Sequence, residues 1–149
     1  MPALQTPGVV TSLNEFAVLV VDDLEDTSKM VAQLLRMSGA IVIAATSGED
    51  GLRILAEKEF DAVISDIAMP GMDGFEFLRR LRELPGKDNI PVLALTGFGR
   101  PEDIERARAA GFHSYVTKPF ELETLMDVLK KLPKRRGNGD GSKRGRFRP

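Results

Sequence analysis

Five short apolar runs, each followed by a segment of helical spacing, constrain this chain more than anything else in it. The runs cover 16–21, 41–45, 62–65, 91–95 and 113–116. Each has the length of a strand rather than of a buried helix. The segment over 25–37 places Val31, Leu34 and Leu35 on one face, and Gly39 stops it. Ser47 can cap a second helix that buries Leu52 and Leu55. Phe75, Leu78 and Leu81 mark a third, which ends before Pro85. Pro101 opens a fourth at its first turn, where a missing N–H costs nothing, and Gly111 closes it. Leu122, Leu125, Met126 and Leu129 follow the i, i+3, i+4, i+7 pattern of a fifth.

Regular strand–helix alternation predicts a parallel sheet with helices on both faces, an α/β fold. The first, third and fourth runs are almost wholly apolar, as strands covered on both sides must be. Right-handed crossovers leave few topologies. A common doubly wound order for five strands is 2-1-3-4-5, with the ligand crevice beyond the carboxyl ends of strands 1 and 3.

What stands at those carboxyl ends is chemically unusual. Asp22 and Asp23 close the first run, Asp66 the third, Thr96 the fourth and Lys118 the fifth. The predicted order makes strand 1 a neighbour of strand 3, so Asp22 and Asp23 meet Asp66. Strand 4 brings Thr96 beside it, and the long Lys118 side chain reaches back from strand 5. Three carboxylates in one crevice either hold protons or recruit a cation. Magnesium fits, because it prefers oxygen ligands and is often held by one or two carboxylates together with a phosphate. A carboxylate in such a site can act as a nucleophile and become an aspartyl-phosphate. Phosphoryl transfer then needs its equatorial oxygens neutralised, a task for a cation, Lys118, the Thr96 hydroxyl and backbone N–H groups.

Composition narrows the alternatives. The chain has no cysteine, which removes disulfides, thiol catalysis and thiolate-bound zinc. No run approaches a membrane-spanning length, and the N-terminus lacks a secretory pattern, so a cytoplasmic location is expected. Neither GxGxxG after a strand nor GxxxxGK[ST] occurs, which disfavours nucleotide binding. Residues 1–14 read as a linker or frayed arm, 15–132 as the folded domain and 133–149 as a disordered tail. Charge is divided unevenly. Lys130 to Pro149 hold nine Lys or Arg against one Asp, whereas the other 129 residues hold 12 basic and 21 acidic groups. A nucleic-acid-binding domain would show a basic face, so contact with nucleic acid is expected only through the tail, if at all. The plain role of that tail is a solubilising end. The sharper one is a basic arm on nucleic acid, an acidic partner or the acidic domain itself.

The motifs VVDD (20–23), SDIAMPGMDG (65–74), ALTG (94–97) and TKPF (117–120), in this order and spacing, resemble the receiver domain of bacterial two-component response regulators, chemotaxis-regulator-like. The resemblance spans about Phe16 to Leu132 and implies a flavodoxin-like (βα)5 fold. It implies that Asp66 is the phosphoacceptor, served by a histidine kinase or a phosphotransfer protein. Mg2+ would be held by Asp23, Asp66 and the backbone carbonyl of Ala68, with Asp22 acting through water. Thr96 and Lys118 would bind the phosphoryl group, and Tyr115 would be the switching aromatic. The Lys118–Pro119 bond would be cis. Phosphorylation would alter the surface of helix 4, strand 5 and helix 5, toward an unknown downstream effector. No enzymatic role is implied beyond self-phosphorylation and self-dephosphorylation at Asp66. Ala68 and Phe98 stand where polar residues often orient the hydrolytic water, which implies slow loss of phosphate.

Other readings compete at several positions. Asp22 and Asp23 could simply cap the first helix. Thr96 could be a strand-end β-branched residue, and Tyr115 half-buried packing on an edge strand. His113 is expected to be structural. For the whole chain the rival is a magnesium-dependent phosphatase with an aspartate nucleophile. Such enzymes place the nucleophile after the first strand in a DxD pattern and carry a cap insertion, neither of which is present here. A pseudo-receiver that only binds is a third reading, disfavoured by the intact Asp and Lys set. The chain is either a stand-alone regulator or the terminal receiver of a hybrid kinase.

Overall fold

The structure, a computed structural model, describes residues 13, 15–97 and 99–132. The expected linker over 1–14 lies almost wholly outside the described residues, and the expected tail over 133–149 wholly so. In chain order the elements are β1 (Ala17–Val21), α1 (Glu25–Met37), β2 (Ile41–Ala45), α2 (Gly48–Glu57), β3 (Ala62–Asp66), α3 (Gly74–Arg82), β4 (Val92–Thr96), α4 (Pro101–Ala110), β5 (Ser114–Thr117) and α5 (Leu122–Lys130). All pairings are parallel and the sheet order is β2-β1-β3-β4-β5, the doubly wound arrangement expected from the sequence.

Successive strand residues point to opposite faces, and two cores result. Val18, Val20, Ala62, Ile64, Leu93, Leu95 and Val116 pack with Val31 and Leu35 of α1 and Leu125 and Leu129 of α5. Leu19, Val21, Val63, Val92 and Ala94 face Leu55, Phe77, Leu78 and Leu81 on the other side. Central strands covered on both faces explain why β1, β3 and β4 read as unbroken apolar runs. Phe16 lies just outside β1, yet its carbonyl accepts from Ile41 N–H at 2.9 Å, so it still joins the start of the sheet. Leu34 and Leu52 are only half-buried; Ala32 and Ile54 take the deeper places on their helices.

Helix ends follow local chemistry. Ser47 accepts Asp50 N–H at 3.0 Å and Asp73 accepts Glu76 N–H at 2.9 Å. The Asp73 cap, unlike that of Ser47, was not anticipated above. Its signal is an acceptor followed three residues later by Glu76. Pro101 is at the first turn of α4, and Gly111 ends it at φ 109°. Loss of the α2 cap in Ser47→Ala should lower stability by about 1 kcal/mol. Urea unfolding measures it, and a variant as stable as the parent would deny the cap its role.

Candidate functional site

The carboxyl ends of the strands gather the residues picked out from the sequence. β1 ends at Val21, whose register partner on β3 is Ser65. Asp22 and Asp66 are therefore next in line on adjacent strands. Asp22 is fully buried and Asp66 is 4% exposed, while Asp23 is partly exposed. One carboxylate oxygen from each of Asp22, Asp23 and Asp66 lies within 4.8 Å of the others. α1 is not capped by either N-terminal acid. Its N-cap is Leu24, which has no side-chain cap bond, and Asp22 Oδ1 accepts Leu24 N–H at 2.9 Å before the helix begins.

β4 and β5 bring the other side of the crevice. Thr96 pairs in register with Thr117, and Lys118 N–H donates to the Thr96 carbonyl at 2.7 Å. This bond fixes Lys118 one residue beyond the sheet. Its Nζ lies 3.3 Å from Asp22 Oδ2 and 3.4 Å from Asp66 Oδ2. The Lys118–Pro119 peptide bond is cis. Thr96 is buried at 6% exposure, on the sheet face of Ala94. Ala94 pairs with Tyr115, so Thr96 and Tyr115 are diagonal neighbours on that face. Tyr115 is exposed at 37%, on the edge strand. His113 lies outside the acid group, and its N–H donates to Val92 O at 2.8 Å, in keeping with a structural place. Phe98 lies outside the described residues.

Electrostatics at Asp66 are in tension. Burial pushes its carboxyl above the usual carboxylate range. The Lys118 ammonium pulls it back, Asp22 pushes it further up, and the Ala68 N–H bond to the carboxylate lowers it again. Among the described residues, Lys118 is the one cation paired with the clustered acids. Oxygen donors in surplus of positive charge suit a hard, oxygen-seeking cation such as magnesium, and the Asp22, Asp23 and Asp66 set fits one on that ground.

Gly74, the last residue of the SDIAMPGMDG motif, shapes the crevice. It opens α3 directly against the back of the Asp66 peptide. A Cβ there would stand 2.6 Å from the Asp66 carbonyl oxygen and 2.7 Å from Ile67 Cα. Its N–H donates to Ile67 O at 2.8 Å, which folds the 67–73 loop over on itself. Gly97 differs. A Cβ added there would meet nothing within 4 Å.

Comparison with known proteins agrees with this geometry. Residues 18–130 match the family described as the response regulator receiver domain. An uncharacterized 14.6 kDa protein in the sodA1 3' region of Leptolyngbya boryana is 41% identical over 118 residues, 79% of this chain and 90% of that protein. The sensor histidine kinase CheAY of Helicobacter pylori is 33% identical over 129 residues, 85% of this chain; the chain spans only 16% of that relative's length. The receiver domain of the Pseudomonas aeruginosa PAO1 sensor histidine kinase PA1611, solved with a magnesium ion coordinated in its active site cleft, has a TM-score of 0.73 and 26% identity. That match covers 79% of this chain and 97% of the other. The chain belongs to the response regulator receiver domain family.

Proposed function

We propose that this chain is a phosphoacceptor signalling domain in which Asp66 takes a phosphoryl group from a histidine kinase or a phosphotransfer protein. The observation that carries this reading is the convergence of the Asp22, Asp23 and Asp66 oxygens within 4.8 Å, with Lys118 Nζ 3.4 Å from the Asp66 carboxylate. Asp22, Asp23, Asp66 and the Ala68 carbonyl would hold magnesium, which when bound supplies counter-charge to the acids and to the incoming phosphate.

An Asp66 carboxylate oxygen attacks the phosphorus, and an O–P bond forms. The N–P bond of the phosphohistidine donor breaks at the same time, and its electron pair leaves with the imidazole. Burial raises the Asp66 carboxyl, and Lys118 and the Ala68 N–H act against that rise, in favour of the ionised nucleophile. Lys118 then pairs with a phosphoryl oxygen, a stronger contact than it has in the resting cluster. The Thr96 hydroxyl, at the end of β4, would donate a hydrogen bond to the group. Thr96 and Tyr115 share a sheet face, which supports coupling of the phosphoryl group to the α4–β5–α5 surface. The chain works in the cytoplasm, where such donors are made. Among the described residues no helix is long and apolar enough to cross a membrane.

Incubation with magnesium and a small acyl phosphate, followed by intact-mass measurement, tests the reading. A single phosphate-sized gain is expected, absent in Asp66→Asn. No gain, or turnover of unrelated phosphate esters as a phosphatase would show, rejects it. The label should also persist. Ala68 is exposed and offers only a methyl group to a hydrolytic water, so the phosphoprotein should outlast the seconds scale in magnesium. Loss within seconds would sink that part.

A further inference from the structure

Each of the first four helices carries acid–base pairs on its own surface. Glu25 pairs with Lys29, Asp50 with Arg53, Glu76 with Arg79 and Arg80, and Glu105 with Arg108. On α5 the pattern breaks. Glu121 at its N-cap, Glu123 and Asp127 are all exposed, and none makes an ion pair with a described residue. Lys130, one helical step beyond Asp127, does not close on it. Beside the start of α5 lies a groove of about 550 Å3, whose walls include Tyr115, Val116, Pro119, Phe120 and Thr124. Glu121 is the one charged residue in its described lining. This face is aromatic and negative.

The chain carries a complement of that chemistry. Residues 133–149 contain seven Lys or Arg, one Asp and a single aromatic, Phe147, between Arg146 and Arg148. The root of this segment is fixed, because Leu132 is buried at 4% exposure and its N–H donates to Leu129 O at 3.2 Å. It therefore starts at the C-terminal end of α5. The helix is about 14 Å long at 1.5 Å per residue. Seventeen extended residues reach about 56 Å, roughly four times what is needed to return to the groove.

We infer that residues 133–149 dock back on the α5 acids and the β5–α5 groove of their own domain. Lys134, Arg135 and Arg136 follow the helix end and are in reach of Asp127. Arg144, Arg146, Phe147 and Arg148 can extend to Glu121, Glu123 and the aromatic walls, where a guanidinium over Tyr115 or Phe120 adds to the charge attraction. A single exposed pair is weak, so several must act together and the contact is reversible and salt-sensitive. Tethering supplies the rest, since a short linker holds the segment at roughly millimolar local concentration. A partner for this face would have to displace the segment. That phosphorylation tunes the displacement is a consequence that rests on the reading of Asp66 above; the docking itself does not.

The absence of cysteine permits a clean test. A nitroxide on Ser142→Cys in the full chain should broaden the amide signals of residues 114–117 and 121–127. The broadening should vanish in about 1 M salt, where the screening length is about 3 Å. It should also be lost in the combined variant Glu121→Gln, Glu123→Gln and Asp127→Asn, with the remaining spectrum unchanged. Broadening elsewhere, none at all, or broadening indifferent to the three substitutions overturns the proposal. So does broadening seen only between spin-labelled and isotope-labelled molecules, which would mean a second copy is the partner. A segment that broadens nothing yet binds a mixed-sequence single-stranded RNA oligonucleotide with a steep salt dependence would make it a nucleic-acid arm instead. Phosphate uptake is read separately by intact mass, so failure of one proposal is not mistaken for failure of the other.

Discussion

Gly74→Ala is expected to destabilise the domain by about 3 kcal/mol, although helix propensity alone favours alanine by about 1 kcal/mol. The two effects oppose each other, and the packing term decides. A Cβ at Gly74 meets backbone on the far side, the Asp66 carbonyl oxygen at 2.6 Å and Ile67 Cα at 2.7 Å. Backbone cannot rotate away as a side chain can. At Gly48 the nearest atom is equally close, but it is the sulfur of Met72 at 2.6 Å, the end of an adaptable side chain. Gly48→Ala should therefore cost clearly less. Gly97→Ala, with nothing within 4 Å of the added carbon, should stay within about 0.5 kcal/mol of the parent. Urea unfolding of the three variants orders them. The chemistry should follow, because relief of the Gly74 clash moves the Asp66 and Ile67 backbone that aims the carboxylate. Misplacement by about 1 Å costs on the order of 10²-fold in a positioned reaction, so the rate of labelling by acyl phosphate should fall by that order. An alanine variant at Gly74 as stable and as readily labelled as the parent would mean that the close approach does not shape the site.

The contrast among these glycines shows what a sequence reveals and what it hides. The alternation of runs such as VLVV and AVIS with helical spacings needs only local information, and it sets both the element order and which strand ends can meet. Asp22, Asp23, Asp66, Thr96 and Lys118 were visible because each ends a strand or lies within two residues of its end, and a parallel sheet aligns all such ends on one edge. Gly74 was not visible as a contact, because its demand arises only when α3 closes on the loop after β3. Lys87 is another case. It reads as a loop lysine, yet it is buried at 5% exposure, donating to Lys58 O at 3.2 Å and pairing with Glu59 at 3.2 Å. Arg106 over the Phe75 ring at 4.1 Å, with Phe112 edge-on to the same ring, was equally hidden. All three depend on how separate elements close on one another, over a short loop for Gly74 and across the chain for Lys87 and Arg106, which periodicity does not encode.

Lys118→Met is expected to cost about 2 kcal/mol at neutral pH without magnesium, the second large effect at this edge of the sheet. The figure lies below the usual cost of breaking a buried pair. The Lys118 side chain is 23% exposed and its two contacts are long, at 3.3 and 3.4 Å. Its loss nevertheless leaves the buried carboxylates of Asp22 and Asp66 without the cation that faces them. The sign of the pH dependence follows from Asp66, whose carboxyl is already raised by burial. A carboxylate raised in the folded state lowers stability at pH above its folded value. That penalty fades as pH falls through the folded value and the group takes up a proton. Lys118 is one of the influences holding Asp66 down, so methionine raises it further and enlarges the penalty at neutral pH. The difference between parent and variant should therefore shrink as pH falls from neutrality through the folded value of Asp66. It should shrink again when Asp66→Asn removes one of the two acids, and when magnesium is added and binds the folded state preferentially. A deficit unchanged by acidification, and unmoved by Asp66→Asn, would assign it to lost packing of the lysine stem rather than to charge.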